Sequence, residues 1–138
     1  MAKRSPWDLE ILKNLNKNYS DFHFRPMSNS VSDFIVVMTT LPELEQANHI
    51  AQIIVAEKLA ACVQILPAMT STYIWQDQLC QESEHLLLIK TIATNYSILS
   101  DKLRSLHPYQ TPEIIAIPAI AIEQNYALWL SAACDQIS

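Results

Sequence analysis

Phe34-Ile35-Val36-Val37-Met38, running on into Thr40-Leu41-Pro42-Glu43, decides how the rest of the chain is read. The first stretch is an unbroken apolar run rich in β-branched residues, which makes a buried strand. The second sets a proline near the first helical position and an acid in the first turn, which opens a helix. The apolar stripe of that helix is Leu44, Ala47, Ala51, Ile54, Val55 and Leu59, at helical spacing. A strand feeding an amphipathic helix is one half of an α/β unit, and the following residues supply more of the same.

Downstream, Cys62-Val63-Gln64-Ile65-Leu66 is a second strand, stopped by Pro67. Residues 70–75 are strand-like, Gln76-Asp77-Gln78 is a polar break, and residues 79–90 form a long returning strand. Tight primed turns favour glycine; none stands at this tip, so Asp77 or a wider loop must supply the geometry. Thr94-Asn95 caps a second helix with Tyr96, Leu99, Leu103 and Leu106 on one face. After the proline-stiffened His107-Pro108-Tyr109-Gln110-Thr111-Pro112, residues 113–118 are another strand. Tyr126, Trp129, Leu130, Ala133 and Ile137 then mark a last amphipathic helix. The order is βαββαβ with an added C-terminal helix, an α+β, ferredoxin-like arrangement.

Two helices cover one face of such a sheet. The other face is not polar, because the strands are apolar on both: Ile35 and Val37 alternate with Val36 and Met38, Leu86 and Leu88 with Leu87 and Ile89, and Ile114 and Ala116 with Ile115 and Ile117. A second copy of the chain is the simplest cover, so the pattern predicts a homo-oligomer.

Composition narrows the function. The 138 residues, half of them hydrophobic and 17% charged, suit one globular domain. The sequence holds no glycine, which excludes phosphate-cradling loops whose backbone leaves no room for a Cβ. Residues 1–30 carry five basic against three acidic groups, a net +2, whereas residues 31–138 carry four against eleven, a net −7. An acidic domain is repelled by nucleic acid and is a more natural partner for cations. Cys62, Cys80 and Cys134 are odd in number and widely spaced, which fits free thiols in a reducing compartment better than disulfides or a zinc ribbon. Asp8, Glu10 and Lys13 interrupt any leader-like apolar stretch, and no run reaches the length of a membrane span. The expected location is the cytoplasm. Residues 1–32 read as an extension, with Trp7, Ile11, Leu12 and Leu15 on one face of a short helix. This extension either rests on the domain or docks a partner protein or a membrane surface. Residues 33–138 form the domain.

Several segments of that domain resemble the CutA family of divalent-cation tolerance proteins. They are Glu57-Lys58-Leu59-Ala60-Ala61-Cys62-Val63, Leu106-His107-Pro108-Tyr109-Gln110-Thr111-Pro112-Glu113-Ile114, Thr70-Ser71-Thr72-Tyr73-Ile74-Trp75, Ile89-Lys90-Thr91 and Tyr126-Ala127-Leu128-Trp129-Leu130. The resemblance implies a homotrimer with its sheets in the middle and clefts between subunits. It also implies a part in tolerance of, or response to, copper and other divalent cations, through weak cation binding and with no catalysed reaction. The alternative it suggests is a PII-like sensor or scaffold that takes a small effector in the intersubunit cleft. No cofactor is implied beyond Cu²⁺ or another weakly bound divalent cation.

The family's proposed copper site uses a cysteine near the end of the first strand and two adjacent histidines. Here those positions are Thr39, Leu106 and His107. His107 is therefore the single metal-ligand candidate, set against a role as a helix-terminal histidine that bonds backbone carbonyls. Lys58, Trp75, Lys90, Tyr109 and Glu113 are brought to the cleft by the resemblance, either as an ion-pair network or as an effector pocket. Cys62 beside them is a buried thiol or a soft-metal ligand. Glu82 and Glu84 share one strand face and read as solvated charge, with His85 on the other.

Overall fold

The computed structural model describes residues 33–135. The extension with its Trp7 to Leu15 face, and Ile137, lie outside the described residues. The elements are β1 (Phe34–Leu41), α1 (Leu44–Ala56), β2 (Cys62–Ile65), β3 (Met69–Trp75), β4 (Gln78–Ile92), α2 (Tyr96–Leu106), β5 (Ile115–Pro118) and α3 (Gln124–Ala133), with a 3₁₀ turn at Ala93–Asn95. The segments read from the sequence recur in that order, with β2 and β3 as two strands where the βαββαβ pattern counts one.

All pairings in the sheet are antiparallel. Its strand order is β2-β4-β1-β5, and β3 also pairs with β4. Strand β4 is paired with β1 from His85 to Ile92, with β2 from Leu87 to Lys90, and with β3 from Gln78 to Glu84. Between Ile65↔Leu87 and Met69↔Glu84, Leu66, Pro67 and Ala68 oppose only His85 and Leu86. That extra residue is a bulge, which tolerates a proline and re-aims the strand beyond it. His85 Nδ1 lies 3.1 Å from the Leu66 carbonyl oxygen and serves it as donor, a use for this side chain that the sequence did not suggest.

Alternation sorts the strand residues onto two faces. Ile35, Val37, Leu41, Leu87 and Ile89 pack under the helices against Ala47, Ile50, Ile54, Leu99 and Leu103. The α1 stripe is rotated from the expected one: Ile50 is buried, whereas Leu44 and Val55 are exposed. Positions 47, 50 and 54 already supply the contact with the sheet. Opposite β1, cross-strand pairs Val36↔Ile117 and Met38↔Ile115 lie on the other face. On this face Ile115 and Ile117 are 48% and 46% exposed. In α3 only Leu130 is buried, and Trp129 stays 50% exposed, so the amphipathic helix shows much of its apolar side.

Among the described residues, three without glycine's freedom occupy the left-handed region: Lys58 at φ 59°, Gln76 at 47° and Asp77 at 61°. Lys58 ends α1. Its N–H reaches the Val55 carbonyl and the Leu59 N–H reaches that of Ile54, the two bonds of a Schellman motif. Gln76 and Asp77 link Trp75 to Gln78, which are paired directly. The hairpin tip is thus a two-residue turn with both central residues at positive φ, the primed geometry and not a wider loop.

The expected cap on α2 is corrected. Asn95 holds the N-cap position, but its side chain makes no cap bond. It points inward and donates to the carbonyls of Lys58 (3.2 Å) and Leu59 (3.3 Å) and to Thr91 Oγ1 (3.4 Å). Buried carbonyls of the α1–β2 connection need donors, and that demand outweighs the cap.

Holding a non-glycine residue in the left-handed region costs about 1 kcal/mol. Asp77→Gly is therefore expected to raise the stability read from urea unfolding by about that amount. An unchanged or lower midpoint would show that Asp77 is not strained there.

Candidate functional site

Where the hairpin β3–β4 meets the face of the sheet opposite the core there is a cavity of about 250 Å³. Met38, Thr40 and Leu86 line it from the sheet, Met69, Ser71 and Tyr73 from β3, and Tyr109 and Glu113 from the segment after α2. Glu84 of β4 is at its centre. Only 8% exposed, its carboxylate accepts from Ser71 Oγ at 3.1 Å and from the Tyr109 hydroxyl at 3.0 Å. A buried carboxylate requires such donors. Burial, and then the charge of Glu84 and its hydrogen bond, hold the Tyr109 proton far above the usual phenol range. Burial, followed by the charge of Glu84, also raises the proton affinity of Glu113. The cavity is lined by two carboxylates, Glu84 and Glu113.

His107 lies beneath this cavity and is buried. Nε2 is 2.8 Å from the Thr40 carbonyl oxygen, and Nδ1 accepts the Tyr109 N–H at 3.1 Å. Both ring nitrogens are thus engaged by the protein. Burial lowers its proton affinity, outweighing the Thr40 carbonyl and the Glu84 charge, which act the other way. The ring is neutral at neutral pH.

Of the residues read from the sequence, the cavity gathers Tyr109 and Glu113. Lys58, Cys62 and Lys90 lie elsewhere. Cys62 pairs directly with Lys90, six residues along β4 from Glu84, or roughly 20 Å at strand rise. Lys90 Nζ stands 5.8 Å from the centre of the Tyr126 ring. Trp75 is at the hairpin tip, beside the turn. In one copy, then, the six residues fall into an acidic end, a basic end and an arm. The expectation of a solvated Glu84 is corrected. Its alternation with Leu86 and Leu88 was the available signal, since it places the carboxylate on a largely apolar face.

Comparison with known proteins places this geometry. The sequence model described as CutA1 divalent ion tolerance protein matches residues 35–133. The chain belongs to the CutA1 family. A relative named divalent-cation tolerance protein CutA, from Salmonella newport (strain SL254), is 41% identical over 103 residues, covering 75% of this chain and 90% of its own. Among solved structures, CutA1 from Oryza sativa superposes with a TM-score of 0.74 at 34% identity, over 78% of this chain and 99% of that one. The divalent cation tolerance protein from Thermus thermophilus gives 0.68 at 42% identity, over 70% and 94%.

The copper site that the CutA1 resemblance suggests does not fit these residues. Thr39 is fully buried on the helix-covered face, and its Oγ1 has no hydrogen-bond partner among the described residues. Leu106 offers no donor atom, and His107 has no free ring nitrogen. Copper favours several nitrogen or sulfur ligands together. Among the described residues, no group of three or more His, Cys, Asp or Glu side chains is placed to hold a metal ion. No described helix is long and apolar enough to cross a membrane.

Two expectations follow. An orphaned hydroxyl in a core costs about 1–3 kcal/mol, so Thr39→Val should raise the unfolding free energy by about 1 kcal/mol; a loss would show that the hydroxyl has a partner. His107 gives a pH dependence with a definite sign. The unfolded imidazole takes a proton near 6.5 and the folded one only at lower pH. Its contribution is therefore full above pH 6.5 and is lost as the pH falls below that value. Urea midpoints measured from about pH 7.5 to about pH 5 should drop more steeply for the unmodified chain than for His107→Gln. Parallel curves would contradict this.

Proposed function

We propose that this chain serves divalent-cation tolerance as a cytoplasmic homotrimer that binds cations weakly and catalyses no reaction. The observation that carries the assembly is the exposed apolar surface: Ile115 and Ile117 of β5 are close to half exposed on a sheet whose opposite side packs under helices, and Trp129 of α3 is half exposed as well. Apolar surface of this kind gains roughly 25 cal/mol for each Å² removed from water. Beside it, β4 carries an acidic end at Glu84 and a basic end at Lys90. Two such ends attract head to tail, and a head-to-tail contact that closes makes a ring. In that ring Glu113 and Tyr109 of one copy face Lys58, Cys62 and Lys90 of the next, with the Trp75 arm reaching across. These are the cleft residues that the family resemblance brings together.

A pair of carboxylates already neutralised by a neighbour's lysine binds a divalent cation weakly, because the ion must displace that lysine. This is the support for weak binding over a dedicated metal cage. The net −7 of residues 31–138 favours cations over anions. Three free cysteines support a reducing compartment, although the relative from Archaeoglobus fulgidus is described as periplasmic.

Glu113→Gln tests both parts. In an isolated copy its ionisation is disfavoured, so the amide should stabilise at neutral pH, where that unfavourable charge is otherwise present. With a lysine opposite, the same change should weaken the trimer. The expected results are a trimer by light scattering, its dissociation at low concentration made easier by Glu113→Gln, and millimolar-range binding of Cu²⁺ and Zn²⁺ by calorimetry that weakens about threefold in the variant. A monomeric unmodified chain, or tight copper binding indifferent to Glu113, would overturn the proposal.

A further inference from the structure

We infer that His107 is the positioning residue of the acidic cavity: its neutral imidazole clasps the end of β1 to the segment after α2 and so presents the Tyr109 hydroxyl to Glu84. A backbone carbonyl can only accept and a backbone N–H can only donate. The Thr40 oxygen at 2.8 Å from Nε2 and the Tyr109 N–H at 3.1 Å from Nδ1 are therefore served together by a single form of the ring, neutral with its proton on Nε2. Pro108 between the two residues restricts His107 to the extended backbone, and φ −76°, ψ 137° is what His107 adopts. The imidazole also packs on the ring it orients, with centroids 5.0 Å apart at 45°.

The result is one hydrogen-bonded chain across the fold. Thr40 at the end of β1 accepts from His107, His107 accepts from Tyr109, Tyr109 donates to Glu84, and Ser71 of the hairpin donates to Glu84 from the other side. Thr40, Ser71, Glu84 and Tyr109 all line the cavity, so its polar wall is built through this histidine. A metal ion on Nδ1 would strand the buried Tyr109 N–H, and one on Nε2 would strand the Thr40 carbonyl. Either loss opposes coordination. The inference holds whether the cavity takes a cation or a neighbour's lysine, so its failure is distinct from failure of the function proposed above.

The test uses the full chain labelled with ¹⁵N. At neutral pH the His107 ring should show a protonated Nε2 and an unprotonated Nδ1, and addition of Zn²⁺ alone should leave both signals in place. Amide exchange at Tyr109 should accelerate strongly in His107→Ala. It should return toward the original rate in His107→Asn, whose side-chain oxygen can accept the N–H two residues on, as in an Asx turn. Where His107→Ala does not fold, the ring signals and the Asn variant decide the matter. A proton on Nδ1, a saturable Zn²⁺ shift of the ring signals, or Tyr109 exchange in His107→Asn as fast as in the unfolded chain would each overturn the inference.

Discussion

Strand β4 hydrogen-bonds to three of the other four strands, and the position of every chemical group described above is referred to it. Its inner half, with β1 on one edge and β2 on the other, is the middle of the domain. Its outer half leaves the body and pairs with β3 alone. The bulge at Leu66, Pro67 and Ala68 is where one edge passes from β2 to β3, and His85 closes that gap by serving the Leu66 carbonyl. Because the side-chain period of a strand is two, this single register puts Leu87 and Ile89 under the helices and puts Glu84, Leu86 and Leu88 on the other face. Slipping it by one residue would bury Lys90 in the core.

The absence of glycine forces the chain to make its sharp turns by other means. Lys58, Gln76 and Asp77 take left-handed backbone that glycine would take freely. Lys58 is held there by the two Schellman bonds, and its carbonyl and that of Leu59 are held in turn by Asn95. Thr91 extends the same polar cluster, donating to the Leu59 carbonyl at 2.7 Å and lying 3.7 Å from the buried Cys134 sulfur. The end of α1, the start of α2 and the end of α3 are tied together by this group, so side chains replace the local freedom that the backbone lacks. The cavity wall adds the same device to the strand pairing: His107 ties Thr40 to the Tyr109 backbone, and Tyr109 and Ser71 hold the Glu84 carboxylate.

Membership of the CutA1 family was legible from short segments because they coincide with places where geometry restricts chemistry. Glu57-Lys58-Leu59-Ala60-Ala61-Cys62 spans the helix end and its turn, and His107-Pro108-Tyr109 spans the clasp. Departures from the family's copper ligands at Thr39 and Leu106 were equally legible, and the structure gives them meaning. Thr39 is fully buried on the core side of the sheet, and His107 is occupied on both nitrogens.

While the family resemblance pointed to Tyr109 and Glu113, the sequence by itself determined the order of strands and helices and the two-sided apolar character of the sheet. Those depend on periodicity and on local backbone chemistry, which neighbours along the chain decide. It did not determine the α1 stripe, the inward turn of Asn95, the hydrogen bonds of His107, or the burial of Glu84. The three polar residues are settled by partners far away in sequence: Leu59 for Asn95, Thr40 for His107, Ser71 and Tyr109 for Glu84. Whether a polar side chain is solvated or buried depends on which donors and acceptors the fold carries to it, and only the tertiary structure supplies them.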